Sequence, residues 1–440
     1  MPKRQRGYLL PLAIVLALLS VGSGPATQEE NFSKWGEETT ELLSQFQEGP
    51  SKSLQDFQKE TAFLKDNPDK ESQVVEPLLT EVIRQTEEAT GAFEEGKAQL
   101  EAYKYKEANA RLRESARGYE FALKSLPALN QNGPGSANSS LAVMVCYNMG
   151  HVYTRLMEWD RAEETLLKAM EVQRLSGKEK DLATIYNSLG IVALKKGNRG
   201  VVIPYFEECV SLARRADFPQ VEGAALGNLG VVYYLKGDPK RALQSYEAAI
   251  KIQRKLGHRS WEAKYIASQG LIYQLQGKLE QALHTYNMAL RINREIGNKR
   301  EEAGNLGNMG IIYNFQKKME EALNAYGFAL QIHRELGLRN EAAKDLGNIG
   351  IVYQSQGRLE DALSAYEESL RVHKILGNLR GEAKDRNNIA VIYQAQAKTA
   401  EALTNYEEAY NLFLFLKSPL ETEVIKENIA KLKAQLGEKK

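Results

Sequence analysis

The sequence predicts an all-α fold of the solenoid class, and three observations carry that prediction. A pattern recurs seven times between Tyr147 and Lys417 at a spacing of 40 residues. Its clearest copies are Gly227-Asn-Leu-Gly-Val-Val-Tyr233, Gly307-Asn-Met-Gly-Ile-Ile-Tyr313 and Gly347-Asn-Ile-Gly-Ile-Val-Tyr353, with no insertion between the last two. A fixed period of this size marks units that each stack on their neighbours. Within each unit, apolar residues recur at helical spacing in two stripes. Gly, Asp or Pro punctuates the gap between the stripes.

The chain opens with a targeting layout. Lys3, Arg4 and Arg6 precede an apolar run from Tyr8 to Val21, and Gly24-Pro25-Ala26 supplies small residues for cleavage. Residues 1–26 therefore read as a signal peptide for export to a periplasm or the outside, since the apolar run is short for a spanning helix. The alternative is a membrane anchor formed by residues 8–21.

Residues 27–130 read as helical but irregular. Phe32, Trp35, Leu42, Leu43 and Phe46 fall on one helical stripe, and Leu54, Phe57, Phe63 and Leu64 on a second. The pattern resumes through Ile83, Ala89 and Phe93. Gly96 and Ala108 lie 12 apart, the separation that Gly230 and Ala242 have within a regular unit, so a degenerate first repeat is expected here. Residues 131–140 are poor in apolar side chains and are expected to be a linker.

The regular units occupy 141–418. In the unit near Glu222, Ala225, Leu229, Val232 and Tyr233 line one helical face. Gly237-Asp238-Pro239 interrupts it, with Asp238 placed as an N-cap and Pro239 at the first helical position, where a missing N–H costs nothing. Ala242, Tyr246, Ala249 and Ile250 line a second helix, and Gly257 ends it as a C-cap. Small residues recur where helices must approach: Gly150, Gly190, Gly230, Gly270, Gly310 and Gly350, continued by Ala390. Aromatic residues recur to fill the space these leave, among them Phe206, Tyr246, Tyr286, Tyr326, Tyr366 and Tyr406.

Gly230, Tyr233, Ala242, Tyr246 and Ala249 match residue by residue the pattern of the tetratricopeptide repeat, which this chain resembles. The usual unit has about 34 residues. The 40-residue form with Leu-Gly near its end is similar to the repeats of kinesin light chain and of spindle-orientation scaffolds that bind G-protein subunits. The resemblance implies a right-handed superhelix that holds partners on its concave face. It speaks for the fold and not for a particular function, because such repeats serve many partners. Residues 419–440 supply one more helix, expected to cap the last repeat with a polar outer face.

Composition excludes several classes. Apolar residues make up 43% of the chain and the net charge is +1. Without residues 1–26, which carry three bases and no acid, 55 basic side chains face 57 acidic ones, a net charge of −2. That balance gives no reason to invoke nucleic acid or an anionic membrane surface. Of the two cysteines, Cys209 occupies the small-residue slot held by Ala249 one unit later, so a buried thiol is expected. The Gly-Asn-x-Gly pieces lie inside helices, not between a strand and a helix, so they are packing sites and not phosphate loops. His333 and His373 stand one repeat apart, which repetition explains better than metal binding. No catalytic motif occurs, so no enzyme, no cofactor and no metal is expected.

One polar series remains. Asn148, Asn228, Asn308, Asn348 and Asn388 stand two residues before the packing glycine or alanine, with Ser188 and Ser268 in the same slot. The resemblance implies that this slot faces the concave groove, where amides can pair with a peptide backbone whatever its side chains. Lys264, Lys344 and Lys384 lie one helical turn earlier. Gln274, Asn314, Gln354 and Gln394 follow six residues after the slot, and by family geometry they also approach the groove. The competing reading is that the Asn side chains bond neighbouring repeats to one another. The functional expectation is a non-enzymatic scaffold or adaptor that binds a protein or peptide, with the lysines favouring an acidic segment. The alternative is a regulatory or assembly subunit of an enzyme or secretion complex whose catalytic part is on another chain.

Overall fold

The computed structural model of the chain describes residues 72–101, 105–130 and 135–437, and these form seventeen helices and no strand. The expected signal peptide and the apolar stripes from Phe32 to Leu64 lie outside the described residues. The helices pack in sequence within two compact units that divide between Ile252 and Gln253.

The N-terminal unit begins with a pair of long helices, α1 (Ser72–Glu101) and α2 (Tyr105–Asn130). Gly96 and Gly118 mark close approaches: a Cβ on Gly96 would fall 2.9 Å from Leu112 Cγ, and one on Gly118 would fall 2.8 Å from Ala89 Cβ. The pair α3 (Gly135–Arg155) and α4 (Trp159–Ser176) follows, then α5 (Glu179–Lys195) with α6 (Val202–Arg215), and α7 (Pro219–Leu235) with α8 (Pro239–Lys255). The stretch expected as a linker is helix from Gly135 onward. Its Gly, Ser, Ala and Asn residues carry little apolar surface, yet they extend a helix whose later turns bury Val143, Val145 and Met149. Asp238 caps α8, accepting a hydrogen bond from the Arg241 N–H at 3.1 Å, and Pro239 is the first helical residue.

The C-terminal unit continues with α9 (Arg259–Leu275), α10 (Leu279–Glu295), α11 (Lys299–Phe315), α12 (Met319–Glu335), α13 (Arg339–Ser355), α14 (Leu359–Leu376), α15 (Leu379–Ala395) and α16 (Thr399–Phe415). Helices of 17 residues alternating with three-residue turns account for the 40-residue period. In each three-residue turn the second residue takes a positive φ. Gly277 and Gly357 do so at 71° and 74°, while Lys317 and Ala397 hold the equivalent places at 61° and 57°. The last helix, α17 (Pro419–Gly437), buries Ile425 and Leu432 against the preceding pair. Its outer face is polar at Glu423, Lys426, Glu427 and Lys431, but it opens with Leu420 and Val424, which are 59% and 60% exposed. The expected polar cap is therefore polar only beyond its first two turns.

Each first helix meets its own second helix at the small-residue slot. A Cβ on Gly310 would lie 2.8 Å from Tyr326 Cε1, and one on Gly350 would lie 2.6 Å from Tyr366 Cε1. Both cysteines are buried and unpaired, and burial pushes the Cys146 thiol up to about 11.

Candidate functional site

Helical geometry separates the polar series. In an α-helix each residue advances by about 100°, so the Asn slot, two residues before the packing glycine, points about 160° away from the second helix. The Gln slot, four residues after that glycine, lies about 40° from it and faces the second helix. Contacts agree. Tyr286, Tyr366 and Tyr406 donate their hydroxyls to the Oε1 atoms of Gln274, Gln354 and Gln394 at 3.1, 2.9 and 3.0 Å. Asn314, in the same slot of α11, is buried. This series joins the helices of each repeat. Its acceptor oxygens satisfy tyrosine hydroxyls that packing has removed from water, which an unpaired buried group would not survive cheaply.

The Asn series divides by unit. Asn148 is buried and donates to the Tyr119 hydroxyl at 3.2 Å, which in turn lies 2.8 Å from Thr90 Oγ1. Asn228 is buried and donates to Asn187 Oδ1 at 3.0 Å. In the N-terminal unit these amides therefore bond one repeat to the next. Asn308, Asn348 and Asn388 are half-buried, and no side-chain hydrogen bond holds them among the described residues. They stand on α11, α13 and α15, first helices that pack side by side within the C-terminal unit.

The surface around these three amides has a definite chemistry. Ile311, Ile351 and Val391, three residues on, are half-buried beside them. Gly304 removes a side chain from the same region, since a Cβ there would meet nothing within 4 Å. Of the lysines, Lys344 is exposed and Lys384 half-buried, each electrostatically coupled to the aspartate that follows it, Asp345 and Asp385. Lys264 is half-buried, with its ammonium 5.5 Å from the centre of the Trp261 ring. The result is a face of amide groups, aliphatic side chains and lysines, indented by a missing side chain. Such a face can hydrogen-bond an extended backbone and attract carboxylates.

One feature of this region was not visible as a site in the sequence. His333 Nδ1 lies 2.6 Å from Asp345 Oδ2, and His373 Nδ1 lies 2.8 Å from Asp385 Oδ2, with all four side chains buried. The only signal was a constant separation of 12 residues in two successive repeats. Burial raises the carboxyls of Asp345 and Asp385 above the usual carboxylate range, against the pull of the histidines. Among the described residues, no group of three or more His, Cys, Asp or Glu side chains is placed to hold a metal ion. None of their helices is long and apolar enough to cross a membrane.

Comparison with known proteins gives a consistent picture. A family model described as MalT-like TPR region matches residues 188–375, and a second, described as tetratricopeptide repeat, matches 140–215 and 346–415. No curated protein sequence matches the chain. Among solved structures, a signal transduction ATPase with numerous domains and a tetratricopeptide repeat sensor, from Pyrococcus horikoshii, superposes with a TM-score of 0.58 at 13% identity. That match covers 86% of this chain and 56% of the ATPase, so this chain spans little more than half of that protein's length. BtubC from P. vanneervenii matches at 21% identity over 49% of this chain and 91% of its own, with a TM-score of 0.45. A putative kinesin light chain from Podospora anserina with nearly identical TPR-like repeats matches at 16% identity over 44% and 96%, with a TM-score of 0.38. At these identities the likeness is one of fold.

Proposed function

The chain belongs to the tetratricopeptide-repeat family, and from that premise we propose that the Asn308–Asn348–Asn388 face of its C-terminal unit binds an extended peptide or protein segment. The repeats make the protein an interaction scaffold. One observation carries the finer reading: the equivalent amides of the N-terminal unit are consumed in bonds between repeats, whereas these three are half-buried and, among the described residues, unbonded. A polar side chain kept in one slot of three successive helices, without a structural partner, is available to a ligand. Lys344 and Lys384 beside them favour a segment that carries carboxylates. Gln354 and Gln394 support the face from behind through Tyr366 and Tyr406.

The test is selection of peptides from a random display library on the protein, followed by affinity measurement. Each neutral hydrogen bond contributes about 0.5–1.5 kcal/mol net, so replacing all three asparagines by Ala is expected to weaken a selected peptide about 10- to 1,000-fold. Thermal stability should be unchanged. Asn228→Ala should do the reverse, lowering stability and sparing affinity. A triple variant that melts early but binds with unchanged affinity would overturn the reading. We also propose, from the basic and apolar residues at the start of the chain, that residues 1–26 direct export. Mass spectrometry of the expressed protein should then find a mature N-terminus near Thr27, and an intact Met1 in a soluble cytoplasmic pool would refute it.

A further inference from the structure

Four buried ionisable groups in the C-terminal unit have no part in the binding reading above. They sit at one repeated position, where the second helix of a repeat meets the first helix of the next. The same repeated position holds Gln253 and Tyr265 and, 40 residues on, Asn293 and Asn305, all buried and uncharged. It then holds His333 with Asp345 and His373 with Asp385 at the two interfaces that follow, at 2.6 and 2.8 Å. Two consecutive interfaces therefore place an imidazole and a carboxylate where their neighbours place amides and a phenol.

We propose that the His333–Asp345 and His373–Asp385 pairs are proton-linked clasps: each holds one proton in the folded chain beyond what the same two groups hold unfolded near neutral pH, and its loss at alkaline pH loosens the interface that the pair closes. With a neutral imidazole and an ionised carboxylate the buried pair carries a net charge of −1. One further proton brings the pair to zero, as imidazolium with carboxylate or as imidazole with carboxylic acid. Burial disfavours net charge, so it favours the protonated pair. The upward push of burial on both aspartates acts in the same sense.

Both carboxylates are surrounded mainly by their histidine, neighbouring lysines at electrostatic range and uncharged groups. On its own helix Asp345 faces Glu341, which opposes ionisation, and Lys344, which favours it; from α12 it faces His333 and the Tyr326 phenol. From α11 it faces the gap at Gly307. Asp385 faces Lys384 on its own helix, and His373, Ser369 and the Tyr366 phenol on α14. From α13 it faces Gly347, while the Ala343 carbonyl there takes the Ser369 hydroxyl at 2.9 Å. Gly381 gives the His373 ring its space, since a Cβ there would fall 2.5 Å from the ring. His373 Nε2 is buried without a partner. In the net-neutral pair that nitrogen carries a hydrogen with no acceptor among the described residues.

The sign follows from linkage. An unfolded histidine titrates near ~6.5. A pair that keeps its proton to higher pH contributes stability that is fully present below that value and lost as pH rises through the folded value. The test is thermal melting of the full chain from pH 6 to pH 9. Two clasps that release their protons within this range lower the melting temperature across it by about 3 °C. A variant with His333→Asn, Asp345→Asn, His373→Asn and Asp385→Asn copies the Asn293–Asn305 arrangement into both interfaces. It should fold and lose this alkaline slope. An unchanged slope would overturn the proposal. Should the fourfold variant fail to fold, NMR of the wild-type imidazoles and of the Asp345 and Asp385 carboxyls decides: each pair must release its extra proton above pH 7, and release at or below the value of an unfolded histidine sinks the inference.

Discussion

Gly310→Ala and Gly327→Ala make the same chemical change on adjacent helices and should have opposite effects. Both glycines lie inside 17-residue helices, α11 and α12. Replacing a mid-helix glycine by alanine removes a conformational-entropy cost and stabilises by about 0.5–1 kcal/mol where space allows. At Gly327 an added Cβ would meet nothing within 4 Å, so that gain should appear in full. At Gly310 the added Cβ would lie 2.8 Å from Tyr326 Cε1 and 2.9 Å from its Cδ1 and Cζ. Carbon atoms prefer about 3.5–4.0 Å, so the ring must retreat by half an ångström or more. Tyr326 is 2% exposed and packed against Ala322 and Val352, which leaves it little room. Overpacking of this kind costs about 1–3 kcal/mol, which exceeds the helix gain and leaves Gly310→Ala destabilised by about 1–2 kcal/mol. Gly310→Leu should be worse, since a branched side chain drives the two helices apart. Urea unfolding followed by helical circular dichroism would measure all three. Gly310→Ala at or above wild-type stability would show that the glycine–tyrosine contact is not close, and the argument for the whole small-residue series would fall with it.

Three further outcomes are expected. Lys317 holds a left-handed turn position at φ 61° where Gly277 and Gly357 sit in neighbouring repeats, so Lys317→Gly should stabilise by about 0.5–1 kcal/mol, the relief of strain exceeding the added unfolded-state entropy; a loss of stability in the same urea assay would contradict this. Burial pushes His151 down to about 3, with Arg155 adding to the effect, beside Tyr147 and Ser188. A depressed histidine contributes stability that is full above ~6.5 and lost as pH falls towards the folded value, so acid should cost about 2–3 kcal/mol by pH 4.5, and His151→Gln should flatten that limb; equal acid slopes in the two proteins would refute it. Chelator should leave helicity and melting unchanged, and a large loss of helical signal would contradict the reading of a core held by packing alone.

The sequence by itself determined the repeat, its two helices, the close-packing glycines and the turn chemistry. Each of these is local: a period of 3.6 residues, a missing Cβ, a proline at the first helical position and a glycine at positive φ act within a few residues of one another. Gly310 against Tyr326 and Asp238 as a cap of α8 were legible for that reason. The irregular start was less legible, and the presumed linker proved helical from Gly135, because apolar contacts made two turns later outweigh weak local preference. What the polar side chains do was decided only by tertiary structure. Asn228 and Asn308 occupy one slot and look alike in the chain, but Asn187 stands opposite the first, and among the described residues no side chain bonds the second. His333 and Asp345 lie 12 residues apart on either side of a turn, and only the packing of α12 on α13 brings them to 2.6 Å. A hydrogen bond depends on the residue that faces it across an interface, and the repeat pattern fixes where the interface lies without saying which residue that will be.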